Sequence, residues 1–588
     1  MKSELMAGLL ACACALPPTV SSADLSQEQV DPRTRTYVQP VRVVAVFDGT
    51  LYGRRRSVQR AESLLGEKAG QVPERGSSKK PEGCLLENNG EAPGVLLDFG
   101  RELHGGVQIG TSWNVLRGSK VRVRFGESVS EACCELTGDG KRGTNDHAIR
   151  DAEYLIPGEG TLTVGDTGFR FVRIDLVTPG RAEIEFVRAV SVMRPMTRRG
   201  TFASSDERLN RVFDTAVRTV HLCCQDFLWD GIKRDRLVWM GDTHPETMAI
   251  LNVFGAADVL PRTFDFAMKT TDPDTEWMNH MSPYSLWFIR NIAEWYRFTG
   301  DVAYVRRHAD YLRRTLRHLL TVMNEKGEWA CSDRPFLDWP SQHDKIATMA
   351  GLQGLAAMAF RDGAELMEAA GDAAAAATSR AAVAKLAKLR PDAHGSKQAA
   401  AVLALAGLRD PKEMYAEVLG RNGHDGVSTF YGYYMLEAMS AAGENRRALD
   451  TVRDFWGAML DVGATSFWEN FDLAWTNNCY RLDQMPVAGK KDVHGDYGEF
   501  CYPSFRHSLC HGWSAGPAAW CINHVLGIRI LEPGCRAVEV KPFLGDLAWA
   551  EGAMALPDGG AVKVRVEKAA DGAPKTSVEA PDWVRIVR

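Results

Sequence analysis

The sequence predicts a multidomain fold: a central helical toroid flanked by an N-terminal β-sandwich and a small C-terminal β domain. Three observations carry that expectation. At 588 residues the chain is too long for a single hydrophobic core. From Tyr37 to about Val192, short runs alternate apolar and polar residues between glycines, the period-two signature of strands. From Thr201 to about Leu526 the pattern turns helical, and after "LEPGCRAVEVKPF" the alternation returns. The expected division is a leader at 1–23, the sandwich at 24–199, the helical domain at 200–526 and the C-terminal β domain at 527–588.

The leader "MKSELMAGLLACACALPPTVSSAD" has a lysine, a short apolar stretch and small residues before Ala23. It resembles a secretory signal, although Glu4 departs from the usual positive start. "LLAC", ending at Cys12, also resembles a lipoprotein cleavage box. A secreted or periplasmic location, with a lipid anchor as the variant, is therefore expected. No other stretch approaches a membrane span. In the sandwich, "VRVRF", "PGVLLDFG", "GTLTVGDTG" and "FRFVRIDL" read as separate short strands.

The helical part opens at "GTFASSDERLNRVFDTAVRTVHL", where Ser204 and Glu207 have capping-box spacing. Leu209, Val212, Phe213, Ala216, Val217 and Val220 then fall on one helical face. "SLWFIRNIAEWYRFTGD", "AYVRRHADYLRRTLRHLLTVM" and the Ala-rich Asp372 to Leu389 continue the pattern. Roughly a dozen such segments suit helical hairpins paired around a ring. "AVKVRVEK" near the end is again a strand.

A net charge of -5 and the lack of a basic tract exclude nucleic acid as a partner. The pairs Cys133–Cys134 and Cys223–Cys224 have neither zinc-site nor redox spacing and read as buried thiols. No metal is expected. The 15 tryptophans include several in polar, loop-like contexts, where an indole face beside carboxylates suits a sugar ring.

Three stretches gather such groups: "DGIKRDRLVWMGD" (Asp230 to Asp242), "GATSFWENFD" around Trp468 and Glu469, and "SLCHGWSAGP" around His511 and Trp513. "FLDWPSQHD", with Asp338 and Trp339, is a lesser fourth. Each alone has a bland reading: a solvated loop, a packed aromatic beside a salt bridge, a structural histidine, a helix start. Together they suit glycoside hydrolysis, which needs one carboxylic acid for the leaving oxygen and one carboxylate acting on water or the anomeric carbon.

At these residues the sequence resembles the bacterial α-L-rhamnosidases of glycoside hydrolase family 78, the six-hairpin glycosidases. The family's acid motif, Asp-x-Pro-x-Arg-Asp-Glu-Arg-x-x-Trp-x-Gly-Asp, is similar to "DGIKRDRLVWMGD", and its base motif, Gly-Ala-Thr-Thr-x-Trp-Glu, to "GATSFWE". "SLCHGW", "LAWAEGAMALPDGGAVKV", "VLLDFGRELHGGVQI" and "GFRFVRIDL" extend the likeness over nearly the whole chain. The resemblance implies an (α/α)6 barrel, an inverting mechanism without cofactor, and a terminal α-L-rhamnoside as carbohydrate substrate. It implies Glu469 as general base, with Asp230, Arg234, Trp239, Asp242, Trp339, Trp468 and His511 lining the sugar subsite.

The general acid departs from the family. Where the family has a glutamate this chain has none, and the loop is one residue shorter. Counted back from Trp239, Asp235 stands at the acid position; counted forward from Asp230, it matches the aspartate before it. Asp235 is the first candidate, with Asp242, Asp230 and Glu246 as alternatives. Arg234 and Arg236 flank it, and nearby cations disfavour a protonated carboxyl. The assignment therefore expects both guanidiniums to have other partners.

Overall fold

The computed structural model describes residues 31–48, 57–65, 83–136, 145–330, 333–500, 503–569 and 573–588. The expected leader, 1–23, lies outside the described residues.

The N-terminal strands are β1 (Thr34–Val38), β2 (Arg42–Phe47), β3 (Val58–Gln59), β4 (Cys84–Asn88), β5 (Gly94–Val115), β6 (Lys120–Gly126), β7 (Asp151–Leu155), β8 (Gly160–Leu176) and β9 (Gly180–Met193). They form one hydrogen-bonded sheet, ordered β3-β4-β9-β5-β8-β6-β7, with β1 on β9 and β2 on β5. The sequence suggested two sheets of short strands. Instead "GTLTVGDTG" and "FRFVRIDL" are a single strand, β8. Bulges explain the difference. The β5 register shifts between Asp98 and Leu103 and again near Gly105. This lets β5 pair with β2 and β8 along its first half and with β8 and β9 along its second. Val95, Leu97, Val107 and Ile109 of β5 meet Val123, Phe125, Phe169 and Val172 in a core of their own.

The helical part begins differently from the capping-box reading. Thr201–Ser204 is a strand, and Asp206 caps the helix Glu207–Cys223 by accepting from the Leu209 amide. Ser204 instead bonds Asn210. Asp206 supplies the same chemistry two residues later, and this frees 201–204 to pair with Trp549–Ala555 in the C-terminal sheet. "AYVRRHADYLRRTLRHLLTVM" breaks at His308 into Val302–Arg307 and Ala309–Leu320. The Ala-rich stretch is the helix Ala373–Leu386, capped by Asp372.

Six helices are buried nearly all round: Thr243–Phe254, Ser282–Thr299, Lys345–Ala370, Lys397–Ala406, Gly432–Ala441 and Gly516–Trp520. Their composition fits, since a helix apolar on every side needs neighbours on every side. Each packs on the next, and the last returns to the first. Between them run amphipathic helices such as Ala309–Leu320, which buries Leu312, Leu316 and Leu319 and exposes Asp310, Arg313 and Arg317. One apolar core continues from these helices into the C-terminal strands Trp549–Ala555 and Ala561–Lys568. No helix among the described residues is long and apolar enough to cross a membrane. Cys223 and Cys224 are buried thiols as expected, whereas Cys133 and Cys134 are half-buried.

Candidate active site

The stretch 230–242 leaves the helix Glu207–Cys223 and forms a closed loop. The Asp230 amide donates to the Leu237 carbonyl at 3.0 Å, and the Leu237 amide returns to Asp230 Oδ1 at 2.9 Å. Between them Asp235 and Arg236 have φ of 53° and 55°, left-handed backbone that non-glycine residues seldom adopt. The Arg236 amide donates to the Arg234 carbonyl at 2.7 Å. This tight turn shapes the short loop, a strain typical of functional sites.

The turn separates the two arginines. Arg236 points away, to the Asp166 carbonyl at 2.9 Å and the His147 carbonyl at 2.6 Å. Arg234 turns inward: its Nη2 donates to Glu469 Oε1 and Oε2 at 2.7 and 2.8 Å, its Nη1 to Asp235 Oδ1 at 3.1 Å. One guanidinium thus holds both Glu469 and Asp235, the first candidate for the acid. The expectation that both cations have partners other than Asp235 holds for Arg236 and fails for Arg234, because the fork has enough donors for two carboxylates.

Glu469 sits in the irregular stretch after Asp461. The Ser508 amide donates to its Oε2 at 3.2 Å, and its carbonyl accepts from Thr429 at 2.6 Å and from Trp513 Nε1 at 2.9 Å. Asp242 precedes the helix Thr243–Phe254 and accepts from the Tyr284 hydroxyl at 2.9 Å. His511 Nε2 lies 3.2 Å from Asp242 Oδ1, and its Nδ1 lies 4.0 Å from Asp230 Oδ2. Burial raises the Asp242 carboxyl above the usual range, opposed by His511 and Tyr284. Asp230 is raised well above it, by burial first and then by the charges of Asp235 and Asp242.

These groups face one pocket of about 120 Å³, far more than the roughly 10–15 Å³ a single water needs. Asp230, Asp235, Asp242, Glu469 and His511 supply its polar groups; Trp239, Met281, Tyr284, Phe336, Trp339 and Trp513 supply its apolar wall; Arg334 completes the lining. Trp339 stacks on Phe500 at 5.5 Å.

Of the residues singled out in the sequence, Arg234 stands behind the lining as the bridge just described. Trp468 does not line the pocket. It is fully buried, edge-on to Phe471 at 5.4 Å and to His507 at 6.2 Å. Its neighbour Glu469 turns to the pocket and so sends the indole into the core. Glu246 is also outside the lining; it is buried under Gly512, where an added Cβ would fall 1.4 Å from Oε1. Asp338 is structural: it accepts from Ser428 at 2.5 Å and from the Trp339 amide at 2.8 Å.

Tyr284, Met281 and Arg334 went unnoticed in the sequence. Tyr284 sits in "SPYSLWF" at the start of a helix, where a tyrosine looks like any core residue until its hydroxyl is seen on Asp242. Phe336 and Trp513 lay inside stretches already marked. Among the described residues one buried group has metal-ligand spacing, Glu127, Glu131 and His494. The Lys233 ammonium already lies 3.2 and 2.8 Å from those glutamates and supplies the positive charge.

Residues 197–525 match the family described as the bacterial alpha-L-rhamnosidase 6 hairpin glycosidase domain. No curated protein matches the chain. Among solved structures, the family 78 rhamnosidase of Bacillus sp. GL1 is similar at 22% identity with a TM-score of 0.70, covering 89% of this chain and 55% of that one. A rhamnosidase from Klebsiella oxytoca with rhamnose bound is similar at 19% identity and a TM-score of 0.62, covering 84% and 96%. The Streptomyces avermitilis α-L-rhamnosidase complexed with L-rhamnose is similar at 17% identity and 0.63, covering 87% and 51%. The chain therefore spans about half the length of the Bacillus and Streptomyces proteins. With the family match extending over more than half of its residues, the chain belongs to the bacterial α-L-rhamnosidase six-hairpin glycosidases.

Proposed function

We propose that the chain is an inverting glycoside hydrolase that releases terminal α-L-rhamnose from a glycan or glycoside. One observation carries the reading: Arg234 joins Asp235 and Glu469 across a single pocket walled by aromatic rings. In this reading Glu469 is the general base. Arg234 and the Ser508 amide orient its carboxylate; together they fill both lone pairs of Oε2, while Oε1, bonded to Arg234 alone, keeps one for water. Asp235 is the general acid; it faces the pocket, whereas Glu246 does not, and the Arg234 charge that opposes its proton is shared with Glu469. Inversion requires carboxyls about 6.5–9.5 Å apart, with water between base and sugar. Asp230, Asp242 and His511 bind sugar hydroxyls; Trp239 and Trp339 cover apolar faces of the ring.

The circuit of six buried helices supports an (α/α)6 barrel at 200–526, between β domains at 24–199 and 527–588, with 201–204 lent to the last sheet. The leader-like 1–23 supports export. No cofactor enters the reaction.

A panel of aryl glycosides with proton NMR of the first product tests this. The expected result is cleavage of the α-L-rhamnoside with β-L-rhamnose appearing first. An α-anomer formed first overturns inversion, and cleavage of another glycoside alone overturns the sugar assignment. Sugar binding without cleavage makes the chain a carbohydrate-binding protein that has lost its acid.

A further inference from the structure

The N-terminal sheet reaches every loop that carries the proposed catalytic groups. Arg170 of β8 donates to the Gly463 carbonyl at 3.0 Å, and the Glu102 amide of β5 to Thr465 Oγ1 at 2.9 Å, both in the loop leading to Glu469. The Gly168 amide of β8 donates to the Ile232 carbonyl at 2.8 Å, in the loop carrying Asp235. The approach is close: a Cβ on Gly168 would lie 2.8 Å from Ile232 Cγ1 and 3.1 Å from the Lys233 amide nitrogen.

The deepest of these contacts is charged. Glu127 follows β6, and Glu131 lies on the short helix Val129–Cys133 that it leads into. Lys233, two residues before Asp235, buries its ammonium between Glu131 at 2.8 Å, Glu127 at 3.2 Å and the His507 carbonyl at 2.8 Å. All three donors of the ammonium are therefore used. The same oxygen of Glu127 also leads elsewhere: Oε2, which meets Lys233, accepts from the Leu509 amide at 2.7 Å. That amide adjoins Ser508, whose own amide holds Glu469. Arg150 balances the charge, bonding Glu131 at 2.9 Å and the Gly168 carbonyl at 2.9 Å. A surface decoration has no need of a buried, charge-balanced cluster, since such groups are costly to bury unless the geometry is held.

We infer that Glu127 and Lys233 are positioning residues for the proposed catalytic pair, Lys233 fixing the loop of Asp235 and Glu127 fixing the segment that orients Glu469. The N-terminal sheet is then a buttress behind the loops that line the active site, and this rests on the roles proposed above for Asp235 and Glu469.

Two variants separate the arms. Lys233→Gln with Glu131→Gln removes one charge of each sign and loosens chiefly the loop of Asp235, since the 507–509 segment loses the Lys233 contact at His507 but keeps Glu127 on Leu509. Glu127→Gln keeps shape and loosens chiefly the 508–509 segment, since Lys233 keeps its two shorter contacts, to Glu131 and the His507 carbonyl. Each is assayed with an alkyl α-L-rhamnoside and with an aryl one whose phenol leaves unaided, as kcat per folded molecule. The double variant should lose about tenfold or more on the alkyl substrate and less than about threefold on the aryl one, because only the former needs a placed acid. Glu127→Gln should lower kcat on both by about the same factor, with KM little changed. Rates per folded molecule equal to wild type in both variants, or the same alkyl-to-aryl ratio in both, overturn the inference while leaving the glycosidase reading intact. Wild-type protein that cleaves neither substrate overturns both.

Discussion

Glu469→Gln is the sharpest probe of the site, because the structure separates its effect on chemistry from its effect on stability. Glu469 and Arg234 are both buried, and two Arg234 bonds with the Ser508 amide converge on the carboxylate. A glutamine presents one acceptor oxygen and one NH2, so at least one of those donors loses its partner. Bonds to charged groups are worth about 1.5–3 kcal/mol, and breaking a buried pair costs about 3–5 kcal/mol. Arg234 still has Asp235 at 3.1 Å, which places the expected loss near the lower end, about 3 kcal/mol. At roughly 2 °C or less per kcal/mol for a chain of this size, the melting temperature falls by several degrees. Removal of the base should lower kcat by about 10²–10⁴-fold. The double variant Arg234→Gln/Glu469→Gln replaces the charged pair with two neutral amides and should regain part of the stability without regaining turnover. Thermal melts and steady-state kinetics on an aryl α-L-rhamnoside read both quantities. A single variant with kcat within tenfold of wild type refutes the assignment of the base, and so does a double variant that recovers activity with stability.

Asp235→Ala should cripple cleavage of alkyl glycosides and largely spare an aryl glycoside; an equal fall on both makes Asp235 a positioning residue. Trp468→Ala should cost about 3–5 kcal/mol in a denaturant melt, as a fully buried indole does. Trp339→Ala, half-buried at the pocket, should weaken sugar binding with little change in stability, and the reverse pattern refutes the placement of the two rings. Burial pushes the Asp338 carboxyl up to about 6, above the roughly 3.9 of an unfolded chain. The native state thus binds that proton more tightly. Its contribution to stability is full below about pH 4 and is lost by about pH 6, by up to about 3 kcal/mol. Asp338→Asn should remove that descent from pH-dependent melts; an unchanged slope refutes the burial account.

Local patterning was enough to read the order of β, helical and β parts, because alternation and helical periodicity are properties of neighbouring residues. "VRVRF" and "AVKVRVEK" became strands and "SLWFIRNIAEWYRFTGD" a helix. The same patterning marked the stretches that line the pocket, since loops crowded with carboxylates beside tryptophan are conspicuous in any context. It did not reach what depends on partners far along the chain. Whether a strand such as β5 belongs to one sheet or two is decided by bulges and by which strands lie alongside. Ser204 and Asp206 are equally good caps; the pairing of 201–204 with a strand some 350 residues later chose between them. The direction of a side chain in an irregular loop is likewise set by its surroundings. That is why Trp468 and Glu469, adjacent in sequence, face opposite ways, and why Tyr284 reached the site unannounced. Arg234, Lys233 and Glu127 show the same division. Each is an ordinary charge in the sequence; contacts among the helical loops hold Arg234, and the packing of the N-terminal sheet against those loops joins Lys233 to Glu127, where low dielectric turns a charge into a clamp.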